Sequence, residues 1–355
     1  MLMPRRHTVT LAVSGALLAA FGVGVYAQPV PYAEMTPGPT FDTLGSYQGT
    51  PLITVSGHQT YNTTGQLRMV TVGVSSQDYQ MPLGTALIGW LSSDQAIVPK
   101  ETIYPPGTTQ QQSDQENAVA FTDSQDAAIT AALAALGIKP TGSEVVIASV
   151  TAGTPANDKL QPGDIIKSID GTPITAGGDG DAGLNEVQAA VQKVTPGQQV
   201  TFEVSRAGKD QTVTTSTVKN SQGKAAVGIA VQTESTFPFN VDIQLNGVGG
   251  PSAGMMFALG IIDKLTAGGD LTDGKVIAGT GTIDASGNVG AIGGIQMKTI
   301  GARRDGATVF LAPADNCADA KANLPSGLEL VKVSTLQDAL NALTDIREGK
   351  TPPSC

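Results

Sequence analysis

The chain has few of the residues from which most hydrolytic and metal sites are built. Its 355 residues include two histidines, two cysteines and one tryptophan, and only 4% are aromatic. The histidines are His7 and His58, and no aspartate is spaced to pair with His58 in a Ser-His-Asp triad. One usable histidine and two widely separated cysteines do not supply the four ligands of a zinc site. The sequence therefore predicts no metal site and argues against a histidine-based triad.

Basic residues are also scarce. The net charge is −10 and the pI is about 4.6, whereas nucleic-acid binding needs a basic patch for the phosphates. Residues 269–275 have the glycine spacing of a phosphate loop, but Val276 stands where a magnesium-binding Ser or Thr is required. Asp270 and Asp273 would also repel phosphate. We expect no nucleic-acid partner, no ATP and no other cofactor.

One long uncharged run is present, from Thr8 to Ala27, directly after Arg5-Arg6-His7. A helix of about 20 such residues rises ~30 Å, the thickness of a bilayer core. Positive charge before the run places the N-terminus in the cytoplasm and the rest of the chain outside. The run is either an uncleaved anchor or a signal peptide, because Val25-Tyr26-Ala27 has the small-residue pattern of a cleavage site. The expected location is the cell membrane, single-pass, with the remaining chain extracytoplasmic.

Cys317 and Cys355 are the two cysteines of the chain. An exported chain enters an oxidising compartment, where a disulfide between them can form and persist. Such a bridge would pin the last residue onto the domain that carries Cys317. The alternative is two free thiols.

The predicted secondary structure differs between the N-terminal and C-terminal parts of the chain. Short runs rich in Val, Ile and Thr, separated by turns, predict strands over residues 52–98. Residues 122–136 predict a helix that is capped by Asp123 or Ser124. From about residue 223 onwards, strands and helices alternate as in an α/β domain.

Between these parts lies the segment "EVVIASVTAGTPANDKLQPGDIIKSIDGTPI", followed by a short helix and a further strand. Over residues 138–220 the chain resembles a PDZ domain of the bacterial kind found with exported proteases, and "LQPGDIIKSIDG" is the most specific part. The resemblance implies binding of extended peptides or C-termini by strand addition. It places the carboxylate-binding loop near residues 139–144, although no Gly-Leu-Gly-Phe-type loop is present there.

Ser252 lies in a bend rich in glycine, "NGVGGPSAG", between a strand-like run and an apolar helix. Gly249 and Gly250 allow a tight turn and leave room for a substrate chain, and Pro251 sets the angle of entry. At a helix N-terminus, free N–H groups such as that of Ala253 can stabilise an oxyanion. These features predict a nucleophile and its oxyanion and substrate loop. The alternative for Ser252 is a simple helix cap.

A nucleophilic serine without histidine needs another base, and lysine is the remaining candidate. Lysine acts as a base only when burial lowers its pKa by several units. On the helix after residue 294, Ile295, Lys298 and Ala302 share one face. Lys298 is therefore placed for desolvation, whereas the alternative is an ordinary surface lysine.

The motifs "GGPSAG" and "GAIGGIQMKTIGARRDGATVFLAP", with "AGTGTID" between them, closely resemble the Lon-type serine peptidase family. The resemblance covers about residues 231–343 and implies a Ser–Lys dyad. Ser252 matches the nucleophile of this family, Lys298 its general base, and Thr280 a threonine that orients the lysine.

Two positions depart from the ATP-dependent members of the family, and the ATPase module is absent. Those enzymes usually carry an acidic residue at the position of Gly250 and a glutamate at that of Thr282. With the N-terminal helix and the PDZ segment, the chain resembles the exported, membrane-anchored Lon-like proteases of Gram-positive bacteria. The resemblance also implies a homo-oligomer, a hexamer as in the Lon relatives, and favours a PDZ domain inserted within the protease fold.

The expected fold is therefore an α/β (α+β) Lon-type proteolytic domain with an inserted PDZ domain and an N-terminal transmembrane helix. The predicted parts are residues 1–28 (anchor or signal), 29–136 (β-rich part of the protease), 137–220 (PDZ domain) and 221–355 (proteolytic domain). The expected function is ATP-independent endopeptidase action on exported or misfolded proteins. The alternative is a catalytically inactive, PDZ-bearing scaffold of the cell envelope.

Overall fold

The computed structural model describes residues 6–175, 182–206, 208–245 and 247–355. The helices in these ranges are α1 (Arg6–Tyr26), α2 (Leu83–Leu91), α3 (Lys100–Ile103), α4 (Gln110–Ala135), α5 (Ala182–Gln192), α6 (Gly254–Leu265), α7 (Ile295–Arg304), α8 (Cys317–Ala322) and α9 (Leu336–Arg347). The strands are β1 (Pro29–Val30), β2 (Tyr32–Asp42), β3 (Ser46–Tyr47), β4 (Thr50–Pro51), β5 (Ile53–Ser56), β6 (Gln66–Val74), β7 (Met81–Pro82), β8 (Ala96–Pro99), β9 (Gly142–Val150), β10 (Ile165–Ile169), β11 (Thr172–Pro173), β12 (Gln199–Arg206), β13 (Lys209–Ser216), β14 (Val218–Lys219), β15 (Ala225–Ala226), β16 (Ile229–Thr236), β17 (Asn240–Ile243), β18 (Val276–Gly279), β19 (Thr282–Ile283), β20 (Val289–Gly290), β21 (Val309–Pro313) and β22 (Glu329–Val333).

The largest sheet of the α/β part has the strand order β22-β21-β18-β6-β2-β8. The strands from β22 to β6 are parallel, and β2 and β8 continue the sheet in antiparallel pairing. Strands from before and after the PDZ segment therefore lie in one sheet. The PDZ segment is an insertion, which confirms the predicted mixed α/β fold with an inserted domain.

Helices cover both faces of this sheet. Successive side chains of a strand point to opposite faces, and apolar side chains on both faces need a covering layer. In β21, Val309 and Leu311 face the layer of α4, α6 and α9, whereas Phe310 and Ala312 face α7 and α8. Almost every residue of α6 is buried, because this helix lies between the sheet and the neighbouring helices α4 and α9. The carboxyl ends of the parallel strands thus open between two helix layers.

The inserted domain has its own antiparallel sheet, in the order β13-β12-β10-β9-β16 with β11 paired to β10. Its core is separate from that of the α/β part and includes Ile147, Ile166, Phe202 and Val204. Strand β16 pairs with β9 over its whole length. This sheet therefore extends beyond residue 220, where the sequence predicted the domain to end.

Helix α4 corrects one sequence prediction. It begins at Gln110 and not near Asp123, because Thr109 and Gln112 form a capping box at its N-terminus. The first two turns, "QQQSDQEN", are polar throughout. They show no apolar periodicity, so the pattern that predicts an amphipathic helix was missing there.

Helix α1 contains one stretch, Val9–Tyr26, that is long and apolar enough to cross a membrane, and its residues are exposed. A signal sequence near an N-terminus has the same properties. At the other end of the chain, Cys317 of α8 and Cys355 form a disulfide. The C-terminal tail lies beside β22, where the Lys332 amide donates to the Pro353 carbonyl at 2.9 Å.

Candidate active site

Three predicted site residues meet at the carboxyl end of β18. Thr280 directly follows this strand, Ser252 lies two residues before α6, and Lys298 is on the second turn of α7. The Nζ atom of Lys298 is 2.7 Å from the Ser252 Oγ and 3.0 Å from the Thr280 Oγ1. The tertiary structure therefore brings together groups that are 18 to 46 residues apart in the sequence.

The lysine in this group is buried. Lys298 is 2% exposed and Thr280 is 0% exposed. Burial lowers the pKa of Lys298 to about 7, because an ammonium group loses its hydration there. A substantial fraction of these amines is then neutral near neutral pH and able to accept a proton.

The hydroxyl of Thr280 determines which way the amine points. Its Oγ1 donates its single proton to the Ser252 carbonyl oxygen at 2.9 Å. It can therefore only accept from Lys298, so one N–H of the amine is directed at Thr280. In the neutral amine, the lone pair is left available for the Ser252 hydroxyl.

The bend before Ser252 is braced by α4. Gly250 has a φ of +85°, which favours glycine. Its amide donates to the Asn117 carbonyl at 2.8 Å, and the Ser124 hydroxyl donates to the Pro251 carbonyl at 2.9 Å. Sequence reasoning missed Asn117 and treated Ser124 only as a candidate helix cap. The one local indication was the capping box of Thr109 and Gln112, which starts α4 early enough for the helix to reach this bend.

Gly249, Gly250 and Ala253, the residues of the predicted oxyanion and substrate loop, have different roles in the structure. The amide of Gly250 is used within the fold and is therefore not free for a substrate. Among the described residues, the amides of Ser252 and Ala253 have no acceptor, and Ala253 is the N-cap of α6. Gly249 lies against Asn117, where an added Cβ would approach the asparagine Cβ to 3.0 Å. Gly249 thus allows close packing, while the helix terminus supplies the free donors.

A cavity of about 350 Å³ opens beside Ser252 and Lys298. Its walls include Phe41, Tyr47 and Met69, and the two aromatic rings pack edge to face with their centroids 5.2 Å apart. Residues 247–250 of the glycine-rich bend also line it. The cavity offers an apolar surface directly next to the hydroxyl.

Other candidates lie elsewhere. His58 is exposed, and its ring packs on Phe239 at a centroid distance of 4.5 Å. Cys317 and Cys355 are joined to each other and do not line the cavity. Within the described ranges, no group of three or more His, Cys, Asp and Glu residues could hold a metal ion.

A second cavity, of about 370 Å³, lies in the inserted domain between α5 and β16. Leu184, Val187 and Val191 of α5 face the segment 225–231 across it. Residues 139–144, the predicted position of the carboxylate-binding loop, do not line this cavity. Residues 139–141 precede β9, and residues 142–144 are the first part of β9 and pair with β16. The resemblance had suggested that a loop before β9 borders the peptide groove. In the structure β16 is the end strand of the sheet, next to β9, and the segment that leads into β16 borders the groove.

Comparisons with known proteins agree with these two parts. Residues 119–217 match the family model of the PDZ domain. Residues 210–345 match the model of the Lon protease (S16) C-terminal proteolytic domain. Both matches confirm the predictions: the chain carries a PDZ domain and the proteolytic domain of a serine-type peptidase. Neither match includes β2, β6 and β8, although these strands complete the sheet of the proteolytic part.

Individual relatives are Lon proteases. Lon protease 1 of Sorangium cellulosum is 43% identical over 94 residues, which are 26% of this chain and 11% of that protein. The Lon protease of Mycoplasma pneumoniae is 30% identical over 184 residues, which are 46% of this chain and 23% of the relative. The chain thus spans less than a quarter of the length of these relatives. A crystal structure of the PDZ domain of an SdrC-like protein from Listeria monocytogenes aligns at 23% identity with a TM-score of 0.23, covering 26% of this chain and 93% of that one.

Proposed function

We propose that the chain is an ATP-independent serine endopeptidase in which Ser252 is the nucleophile and Lys298 the general base. One observation carries the proposal: a buried amine, its pKa lowered to about 7, lies 2.7 Å from a hydroxyl at a helix N-terminus. The alternative roles do not explain this arrangement. A serine that only caps a helix needs no buried amine beside it, and a surface lysine would stay hydrated and charged.

The geometry supports a two-step acyl transfer. The neutral Lys298 amine takes the Ser252 proton while Oγ attacks the carbonyl carbon of the scissile bond. The oxyanion that forms is stabilised by the free amides of Ser252 and Ala253 at the start of α6. Lys298 then donates its proton to the leaving amine. It later takes a proton from the water that attacks the acyl-enzyme and passes it to the Ser252 Oγ as the acid product is released. Thr280 holds the amine in place through both steps.

The substrates that fit are extended polypeptides. The apolar wall of Phe41, Tyr47 and Met69 supports a preference for an apolar residue next to the cleaved bond. In the PDZ domain, β16 is the end strand of its sheet and faces α5 across a groove lined by apolar side chains. Strand addition to β16 would hold a second segment of the same substrate.

The apolar helix α1 supports a location of the protein at the membrane. As an anchor it would hold the proteolytic and PDZ domains at the outer face, with exported or misfolded proteins as substrates. Assembly into a hexamer is implied only by the family resemblance, and mass measurement of the purified full chain in detergent would test it.

The test uses the full chain purified in detergent, an unfolded protein substrate and no added ATP. The expected result is cleavage by the wild type and cleavage at the level of the blank for Ser252→Ala and Lys298→Ala. Ser286→Ala is the matched control, because Ser286 is exposed and outside the cavity. Equal cleavage by wild type and both variants would refute the dyad. A wild type that binds peptides and cleaves none would identify the chain as an inactive scaffold.

A further inference from the structure

Helix α2 exposes an unusual number of large apolar side chains. Its sequence, "LGTALIGWL", contains no charged residue. Outside α1, seven large apolar residues of the described chain are exposed, and four of them lie on this short helix: Leu87, Ile88, Trp90 and Leu91. Leu91 is 90% exposed. Single exposed leucines are common, but a contiguous group of this kind marks an interaction surface.

The exposed face of α2 continues from its contact with α1. A Cβ at Gly84 would overlap the ring of Tyr26, so the last turn of α1 lies directly on Gly84. Gly84, Leu87, Ile88 and Leu91 follow the i, i+3, i+4, i+7 spacing of one helix face. The stripe that begins under α1 is therefore the same stripe that is exposed further along.

Backbone hydrogen bonds hold the two helices at this corner. Strand β1 pairs with β7 just before α2, and the Leu83 amide donates to the Gln28 carbonyl at 2.7 Å. After α2, the Asn323 side chain donates to the Ser93 carbonyl at 2.8 Å, next to the exposed Leu324. The surface is thus attached both to the end of α1 and to the proteolytic domain.

Aromatic residues at this corner are of the kind found at membrane interfaces. The rings of Trp90 and Tyr32 pack edge to face, 5.3 Å apart, and the Trp90 Nε1 donates to the Ile97 carbonyl at 3.3 Å. The polar group of the indole is therefore satisfied within the protein, and the exposed half of its ring is apolar. Tryptophan and tyrosine collect where hydrocarbon meets the headgroups.

We propose that α2 is a second membrane contact: Leu87, Ile88, Trp90 and Leu91 lie in the lipid interface and seat the proteolytic domain on the bilayer. Helix α1, with 21 residues, rises ~30 Å and places Tyr26 at the far interface, at the level of α2. A second copy of the chain is a poorer occupant. A stable protein interface buries about 800 Å² per partner, and four exposed side chains on a helix of nine residues supply less than that. The proposal rests on the membrane insertion of α1 stated above.

Trp90 makes the test direct, because it is the only tryptophan in the sequence. The full chain is reconstituted into phosphatidylcholine vesicles whose acyl chains carry bromine either near the headgroup or near the chain end. The expected result is strong quenching of Trp90 fluorescence, greater for bromine near the headgroup. The triple variant Leu87→Ser, Ile88→Ser, Leu91→Ser should lose most of this quenching and still cleave a soluble peptide at the wild-type rate.

Val218→Ser is the matched control, since Val218 is exposed and lies in the inserted part, and its quenching should equal that of the wild type. Flotation with the vesicles tests the anchor separately. A chain that floats while Trp90 is quenched by aqueous iodide and not by brominated lipid overturns the proposal. A concentration-dependent blue shift without lipid quenching would also overturn it, in favour of self-association. A chain that fails to float refutes the anchor and this contact together.

Discussion

The cavity at Ser252 and the groove of the inserted domain are formed by different parts of the polypeptide. The cavity at Ser252 depends on side chains from three layers of the fold, because the hydroxyls of Ser252 and Thr280 lie 2.7 and 3.0 Å from the Lys298 amine. The groove between α5 and β16 depends on a backbone edge and on apolar side chains of α5. Bond cleavage requires fixed geometry and a shifted pKa, whereas strand addition requires an accessible strand and a groove. Substitutions should therefore act sharply at the first cavity and gradually at the second.

The largest effect is expected for Lys298→Met. Removing the base should lower the rate of peptide cleavage by about 10³-fold, within the range that general bases contribute. The variant should nevertheless be more stable at pH 7, by on the order of 3 kcal/mol, because a buried amine no longer has to lose its proton or its hydration. Thermal unfolding and peptide cleavage on the same samples measure both. A variant that is less stable and still active would contradict the role of Lys298.

The pH dependence of peptide cleavage tests whether Lys298 acts as the base. Because the pKa of Lys298 is lowered to about 7, kcat/KM should rise about tenfold per pH unit below pH 7 and level off above it. The folded pKa lies below that of an unfolded lysine, so wild-type stability should also rise between about pH 7 and pH 10.5. His58→Gln should keep the same activity profile. A flat profile in both proteins would exclude a lysine base.

Thr280→Val should have the next largest effect. The variant keeps the shape of the side chain but loses the bonds to Lys298 and to the Ser252 carbonyl. We expect kcat to fall about 10- to 100-fold with little change in KM, because a misplaced base slows the chemical step. Thr280→Ser retains the hydroxyl and should restore most of the rate. Equal losses for both variants would indicate a packing role only.

A smaller change is expected at the groove. Leu184→Asp places a charge on the partly buried, groove-facing side of α5 and should weaken binding of an apolar peptide about tenfold, measured by fluorescence anisotropy. Cleavage of a peptide too short to reach the groove should be unchanged. Ala189→Asp on the exposed side of α5 is the control. If both variants bind equally well, peptides do not use this groove.

The smallest effect concerns the junction of the two parts. Burial and the nearby Glu234 raise the pKa of Asp126 to about 8. The folded state then holds a proton that the unfolded state releases, so stability should fall as the pH rises from about 4 to about 8. Asp126→Asn removes this loss and should be more stable above pH 8, by on the order of 1 kcal/mol, in thermal unfolding. An unchanged unfolding temperature at that pH would show that the carboxyl is well solvated.

Local patterns predicted much of the fold and the residues of the candidate site. The apolar run of α1, the "LQPGDIIKSIDG" segment and the bend at Ser252 are contiguous in the sequence, and each has a recognisable spacing. The helix face of Ile295, Lys298 and Ala302 also follows from the sequence, and all three are buried. Helix α4 was predicted too short, because its polar start lies beyond the reach of any apolar pattern.

The sequence by itself determined which residues are available: a serine in a glycine-rich bend, a lysine on an apolar face, and no histidine placed to replace it. Only the tertiary structure decided that Lys298 lies 2.7 Å from Ser252, that α4 braces the bend, and that the PDZ groove lies at β16. Burial and hydrogen-bond geometry depend on segments that are distant in the chain. The pKa of Lys298 is lowered by the surrounding residues that exclude water, and these come from distant parts of the chain. It therefore cannot be predicted from the local sequence alone.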